Sequence, residues 1–250
     1  SGMSSAAARI QRSFRRGFAT YDDSALVQNL IARGLARRLL HHAVDTRFSR
    51  VFEAGYGTGQ LTRILLQSLP IETLHLNDLA AAPLPFAPEA DYCPGDVETL
   101  PLADDLDLVA SASMIQWIAD PKALIDRLCD VVRPGGWLAL SGFGPDHFPE
   151  LQAPGSQAAA PSLLSASALA DLLPTEWTVH EAGSQSRALW FASPRDVLRH
   201  LRDTGVNGRA SRPWTRRDLE AFCATYSQKF SQSGRVPLTY QPVWLIAQKA

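Results

Sequence analysis

Val51-Phe52-Glu53-Ala54-Gly55-Tyr56-Gly57-Thr58-Gly59 opens as a short apolar strand and breaks into three glycines at alternate positions. Gln60-Leu61-Thr62-Arg63-Ile64-Leu65-Leu66 follows, with Leu61, Ile64 and Leu65 at helical spacing. Strand, glycine turn and helix in that order make a nucleotide-binding corner. Glycines let the backbone pass close beneath a ligand and adopt φ values that other residues resist. The helix N-terminus behind them offers free N–H groups and a partial positive charge. The spacing narrows the ligand. A dinucleotide fingerprint sets its glycines as G-x-G-x-x-G, and a phosphate-cradling loop carries a lysine that is missing here. The pattern present is E-x-G-x-G-x-G. A tight strand-to-helix turn with no ligand is the competing reading of the glycines alone.

A chain of 250 residues is long enough for one large α/β domain and short for two full ones. With 46% hydrophobic and 20% charged residues, its composition is that of a soluble globular protein. No apolar run reaches the roughly 18 residues of a membrane span, and no secretory signal opens the chain. Ser1-Gly2 ahead of Met3 reads as a cleavage scar. Cys93, Cys129 and Cys223 are dispersed and odd in number, which argues against a disulfide framework or a zinc site and suits a reducing cytoplasm. His41-His42 has no partner carboxylate in pattern, so no metal is expected. The net charge of −1 conceals an asymmetry. Residues 1–50 carry +6, residues 51–130 carry −10, residues 131–200 carry −2 and residues 201–250 carry +5. Basic ends either neutralise the acidic middle or form a rim for an acidic partner.

Along the chain, residues 4–16 predict a short basic helix, and residues 25–42 a second, with Leu26, Leu30, Leu35 and Leu39 on one face. Two helices ahead of the first strand would make a flap over the ligand pocket, with Tyr21 at their junction. Residues 71–78 predict the second strand, ending in Asp78, nineteen residues beyond Gly59. A carboxylate at the carboxyl end of the neighbouring strand can accept both hydroxyls of a ribose. Capping is the weaker reading, because the Pro-rich residues 80–88 hold little helix to cap. A third strand ends before Tyr92, residues 105–113 are the fourth, and residues 121–131 a helix with Pro121 in its first turn. A fifth strand follows Arg133-Pro134-Gly135-Gly136, and an Ala/Pro/Ser-rich loop runs to about Ser167. Helix 167–173, strand 176–182, helices 194–203 and 215–232 and a final strand over 238–247 complete a seven-stranded plan.

The glycine stretch, Gly95-Asp96-Val97-Glu98-Thr99-Leu100-Pro101 and the R-P-G-G turn together resemble the motifs of class I S-adenosylmethionine-dependent methyltransferases. The resemblance implies an α/β, Rossmann-like sheet of seven mostly parallel strands, the last antiparallel, with helices on both faces. It implies a flap over residues 1–45 and a methyltransferase domain over 46–250, with a loop or helical insertion around 145–173. The cofactor implied is S-adenosyl-L-methionine, leaving as S-adenosyl-L-homocysteine. Glu53, Gly55, Gly57 and Gly59 would hold its amino-acid end and Asp78 its ribose, with Leu79 beside it. Asp96 would accept from the adenine amino group, Val97 would pack on the ring, and Ser111 would be a further contact. Gln116 and Trp117, after the fourth strand, would face the acceptor.

Longer pieces resemble one subfamily, the malonyl-[acyl-carrier protein] O-methyltransferases of biotin synthesis. These are Arg12-Ser13-Phe14-Arg15-Arg16 with Ala19-Thr20-Tyr21-Asp22, then Met114-Ile115-Gln116-Trp117, Phe143-Gly144-Pro145, residues 193–207, and Leu238-Thr239-Tyr240 with Trp244-Leu245-Ile246-Ala247. Tyr56 departs from the pattern, where a small residue or Cys is commoner. The implied reaction needs no general base, since a malonyl carboxylate is ionised at neutral pH and can itself attack the methyl group. The protein must supply in-line positioning without trapping the carboxylate in the ground state. Tyr21 is the candidate positioning residue, and Arg12, Phe14, Arg187 and Arg199 join Gln116 and Trp117 on the acceptor side. The implied partner is malonyl-acyl carrier protein, or malonyl-coenzyme A, for a cytoplasmic monomer with no nucleic-acid or membrane partner. A methyltransferase for a quinone precursor or free acid, a cofactor-binding protein-arginine hydroxylase of complex assembly, and a non-catalytic scaffold stay open.

Overall fold

A computed structural model describes residues 24–80, 82–152, 160–204 and 214–250. Two compact units divide the chain, one from residues 31–144, 161–184 and 242–250, the other from residues up to Leu30, 145–160 and 185–241. The helices are α1 (Ser24–His42), α2 (Gln60–Ser68), α3 (Pro121–Asp130), α4 (Pro149–Gln152), α5 (Ala166–Ala170), α6 (Pro194–Thr204) and α7 (Arg216–Phe230). The strands are β1 (Arg50–Ala54), β2 (Thr73–Asp78), β3 (Asp91–Pro94), β4 (Leu106–Ser111), β5 (Val132–Phe143), β6 (Trp177–Ser184), β7 (Arg187–Phe191), β8 (Val236–Tyr240) and β9 (Pro242–Lys249).

The first unit is the sheet β3-β2-β1-β4-β5-β9-β6. Strands β1 to β5 pair in parallel, and β9 runs antiparallel to both β5 and β6. The expected seven strands, mostly parallel with the last reversed, are present. Period-two alternation builds two cores from these strands. Val51, Leu108, Trp137 and Ala139 face one cluster with Leu61 and Leu65 of α2, while Phe52, Val109, Leu138 and Leu140 face another with Leu124, Ile125 and Leu128 of α3. Strand β4 is buried at every position, as a central strand covered on both faces must be. Its one acid, Asp107, accepts from the amides of Ser49 and Arg50 at 2.8 and 2.7 Å and from Arg133. Burial pushes that carboxyl up, but the Arg133 guanidinium and the two amides outweigh it and hold the group below its ordinary range.

Of the expected flap, residues 1–23 lie outside the described residues, and with them Arg12, Phe14 and Tyr21. Helix α1 turns Ala32, Leu35, Ala36 and Leu39 into the first cluster. Its last turn is tied by Glu181 of β6, which accepts from Arg38 at 2.7 Å, from the Trp244 indole at 2.7 Å and pairs with His42 at 2.8 Å.

The second unit holds the antiparallel pair β7–β8, registered from Arg187↔Tyr240 to Phe191↔Val236. Leu189, Phe191, Val197, Leu201, Phe222, Tyr226 and Leu238 fill it. A capping box between Thr215 and Asp218 starts α7. The buried Glu150 carboxylate accepts from the Thr239 amide at 3.2 Å and from its hydroxyl.

Two expectations about strands need correction. The third strand does not end before Tyr92 but runs over Asp91–Pro94, a four-residue edge strand. The final strand over 238–247 is two strands in different sheets, broken at Gln241. Strand β7 (Arg187–Phe191) is an addition, since the sequence assigns no element between strand 176–182 and helix 194–203.

Candidate active site

The carboxyl ends of β1, β2, β3 and β4 converge through backbone and side-chain hydrogen bonds. Gly55, Gly57 and Gly59 all adopt positive φ, at 65°, 56° and 89°, a region that other residues enter at a cost. At Gly59, the residue before α2, an added Cβ would lie 2.7 Å from Phe86 and 2.8 Å from Leu84. At Gly57 it would meet nothing within 4 Å. The turn is therefore packed underneath and open above, the shape needed by a ligand lying along its backbone.

Asp78 closes that turn. Its Oδ2 accepts from the Gly57 amide at 2.7 Å and its Oδ1 from the Leu79 amide at 2.8 Å. An ionised carboxylate offers about four lone-pair sites, so two remain for a ligand's hydroxyls. Leu79 stands 74% exposed, a large apolar surface beside a polar group. Asn77, at 2% exposure, donates to the carbonyls of Cys93 and Gly95 and so fixes the start of the β3 turn. Asp96 is exposed and accepts from the Glu98 amide at 2.9 Å, while Val97 is buried in the second core cluster. Ser111 is buried and donates to the Ala54 carbonyl at 2.8 Å, locking β4 to β1. Gln116 is 2% exposed, and its Nε2 donates to Ser113 O at 2.7 Å. Its Oε1 has no partner among the described residues. Trp117 beside it is 37% exposed.

Glu53, the three glycines, Asp78, Leu79, Asp96, Val97, Ser111, Gln116 and Trp117 all belong to the first unit, where hydrogen bonds join the glycine turn to Asp78 and Ser111 to Ala54. Arg187 and Arg199 belong to the second unit, where Arg199 pairs with Asp196 at 3.2 Å on α6. Among the described residues, one group of three ligating side chains, His75, Asp91 and Cys93, lies within 4.8 Å on the β2–β3 pair. Burial and the neighbouring Asp91 raise the Cys93 thiol's pKa, which disfavours the thiolate a metal needs.

Glu53 is 1% exposed and accepts from the Thr62 hydroxyl at 2.6 Å. Burial drives its pKa up, the Thr62 bond opposes this, and the negative Asp78 adds to it, so the group is raised to about 8. A raised carboxyl contributes stability that is full below its unfolded value of 4.5 and is lost as pH climbs through about 8. Without cofactor, Glu53→Gln is therefore expected to gain on the wild type as pH rises from 5 to 8, by about 5 °C in melting temperature. A wild type and variant that stay parallel across that range would contradict the assignment.

Tyr56, the departure noted in the sequence, has a use that the motif did not signal. Its ring is buried, edge-on to Tyr92 at 5.8 Å. Its hydroxyl donates to Ala82 O at 2.9 Å and accepts from Ala82 N at 3.0 Å. The Tyr92 hydroxyl accepts from the Leu84 amide and donates to Ala87 O, both at 2.8 Å. The two tyrosines hold the Pro-rich loop against the glycine turn. Tyr56→Phe should raise the cofactor KM about fivefold with kcat unchanged, the worth of one lost hydrogen-bonding group. Steady-state kinetics with the acceptor saturating would read it.

The open turn, the two spare acceptor sites on Asp78 and the exposed Leu79 fit the ribose and base of an adenosyl group. A methyltransferase-domain family matches residues 52–140. A malonyl-[acyl-carrier protein] O-methyltransferase of Chlorobium luteolum is 33% identical over 97% of this chain and 95% of its own length. One of Acinetobacter baylyi is 31% identical over 96% of each chain. One of Bacteroides fragilis is 34% identical over 96% of this chain, which spans only 50% of that longer relative. Among solved structures, a candidate methyltransferase of Bacillus halodurans C-125 superposes with a TM-score of 0.63 over 86% of this chain and 98% of its own, at 15% identity. The [4+2]-cyclase SpnF superposes at 0.52 with 16% identity, over 87% and 80%. The fold by itself therefore does not assign the chemistry. The full-length relatives assign the family: this chain is a member of the malonyl-[acyl-carrier protein] O-methyltransferases, enzymes whose methyl donor is S-adenosylmethionine.

Proposed function

We propose that the chain esterifies the free carboxylate of malonyl-acyl carrier protein with a methyl group, at the start of pimeloyl and biotin synthesis. The observation that carries this reading is the extent of the likeness. Identity of 33% across 97% of the chain reaches far beyond residues 52–140, the part shared with methyltransferases in general. Of the acceptor-side candidates, Arg12, Phe14, Tyr21, Arg187 and Arg199 lie outside that shared part, and Gln116 and Trp117 lie within it.

When bound, S-adenosylmethionine supplies an electrophilic methyl group on a sulfonium sulfur. The acceptor carboxylate is ionised at neutral pH, so the protein has no proton to remove and its task is placement. The glycine turn and Asp78 fix the donor side. Gln116 leaves one buried hydrogen-bond acceptor without a partner among the described residues, which makes it the candidate for an N–H of the acceptor's arm. Tyr21, with Arg12 and Phe14, is retained as the carboxylate-side set. Arg187 is a further candidate for the same carboxylate. A cytoplasmic monomer completes the reading, and no described helix is long and apolar enough to cross a membrane.

The test is methyl transfer from labelled S-adenosylmethionine to malonyl-, succinyl- and acetyl-carrier protein. Labelling of the malonyl form and none of the acetyl form supports a free-carboxylate methyltransferase. Cofactor binding with no label on any acyl carrier would sink it.

A further inference from the structure

Between β4 and α3 the chain makes a single 3₁₀ turn, Ile115–Trp117, which carries both acceptor-side candidates of the first unit. The turn abuts the donor side, since a Cβ added at Gly55 would meet the Met114 side chain at 3.3 Å. It is seated on β5. The Ser113 amide donates to Ser141 O at 2.9 Å, and a Cβ added at Gly142 would lie 2.5 Å from an Ile115 methyl. Ser113 itself is held at φ 58°, a conformation that a residue other than glycine keeps only where its surroundings enforce it. Within the turn, Met114 O accepts from the Trp117 amide and Ile115 O from the Ile118 amide. The carbonyls of Gln116 and Ile118 are answered from outside it, both by Ser162. Its amide donates to Gln116 O at 2.9 Å and its hydroxyl to Ile118 O. Ser162 is 6% exposed and lies in the same unit, at the end of the Ala/Pro/Ser-rich stretch whose composition signals only a loop. Three residues on, Ser165 caps α5 by accepting from the Ala168 amide at 3.1 Å, so the segment is anchored beyond Ser162 as well.

What this clamped turn presents is Gln116. Its Nε2 donates to Ser113 O, which can only accept, so Oε1 is turned the other way. That oxygen is buried and no described residue donates to it, a costly arrangement unless a ligand brings the donor. We propose that Ser162 is a positioning residue for the methyl acceptor: by pinning the backbone on both sides of Trp117, it holds Gln116 Oε1 where an N–H of the acceptor's arm meets it. This rests on the reading of the acceptor as a malonyl group carried on a thioester arm. Ser162 acts through Gln116 and not on the substrate. A fixed, buried acceptor atom makes the site selective, because an arm without the N–H leaves that oxygen unanswered.

The experiment uses two small malonyl thioesters beside malonyl-carrier protein. One is the thioester of N-acetylcysteamine, whose amide N–H lies close to the sulfur. The other is the ethyl thioester, with the same carboxylate and no N–H. The wild type should favour the first by about tenfold in kcat/KM, the worth of one hydrogen bond. Ser162→Ala and Gln116→Met should each reduce that preference to about twofold, and the double variant should lose no more, because the two residues act as one unit. With malonyl-carrier protein, Ser162→Ala should raise KM about fivefold at unchanged kcat, the mark of a contact made equally before and during transfer. A purely structural Ser162 would lower the active fraction, and with it kcat, and leave KM and the preference where they were. Full preference kept by either single variant overturns the proposal, and so does a wild type equally active on both thioesters. If only the carrier protein is methylated, its KM in Ser162→Ala decides, and an unchanged value overturns the proposal. A wild type that binds cofactor and methylates none of the three removes the functional reading beneath it.

Discussion

Asp78→Asn is expected to weaken S-adenosylmethionine binding about a hundredfold, or ~3 kcal/mol. The substitution keeps the shape and removes one acceptor. Both carboxylate oxygens face backbone N–H groups, Gly57 at 2.7 Å and Leu79 at 2.8 Å. Whichever way the amide is turned, an NH2 group then opposes an N–H. If it faces Gly57, the glycine turn loses its tie to β2; if it faces Leu79, the loop that follows β2 is released. The ligand's hydroxyls also lose a charged acceptor for a neutral one. Isothermal titration with cofactor and with its demethylated product would read the change. Affinity within threefold of wild type would show that Asp78 merely shapes the turn.

Gly136→Ala should be the most damaging small substitution in the sheet, costing about 3 kcal/mol and lowering the melting temperature by about 10 °C. An added Cβ there would lie 2.5 Å from a Val132 methyl, 2.9 Å from Arg133 O and 3.0 Å from Leu106 O. Two of the three obstacles are backbone and cannot swing aside. The site is also where β4–β5 pairing slips, from Leu106↔Val132 to Leu108↔Trp137. Gly135 next to it is the control. Its φ is +82°, but its Cβ would touch only the end of the Arg133 side chain, at 3.3 Å. Gly135→Ala should cost about 1 kcal/mol, the ordinary penalty of the left-handed region. Thermal denaturation of both variants decides the matter, and a larger loss at Gly135 would contradict this account.

The sequence made the donor side legible because local rules govern it. Alternate glycines demand a special backbone, and an acid at the end of the next strand follows from the order of elements. What it could not show was how each side chain would be used. Ser111 reads as a contact, yet in this structure its hydroxyl is bonded to Ala54 O. Val97 reads as a ring-packing residue, and the described side chain sits in the core. Tyr56 reads as a deviation, and its hydroxyl holds a loop 26 residues away in sequence. Long-range partners of that kind leave no periodic trace. Strands fail for a related reason. Across 236–249 Gln241-Pro242 is a short interruption that reads equally as a bulge within one strand, and it does not tell that pairing passes there from Arg187–Phe191 to Phe143. Residues 91–94 are too short and polar to announce an edge strand, and the tie there is between backbones.

The place of β9 between β5 and β6 has a consequence for biosynthesis. Residues 132–143 and 177–184 leave the ribosome well before residues 242–249, which separate them in the finished sheet. Until those late residues emerge, β5 and β6 each show an unsatisfied row of N–H and C=O groups. Nascent chains stalled short of residue 242 would therefore offer two adhesive edges, and quality-control factors would meet them in that state. Slowing translation between residues 184 and 249 lengthens this exposure, while a separately supplied peptide of residues 242–249 could occupy the gap in trans.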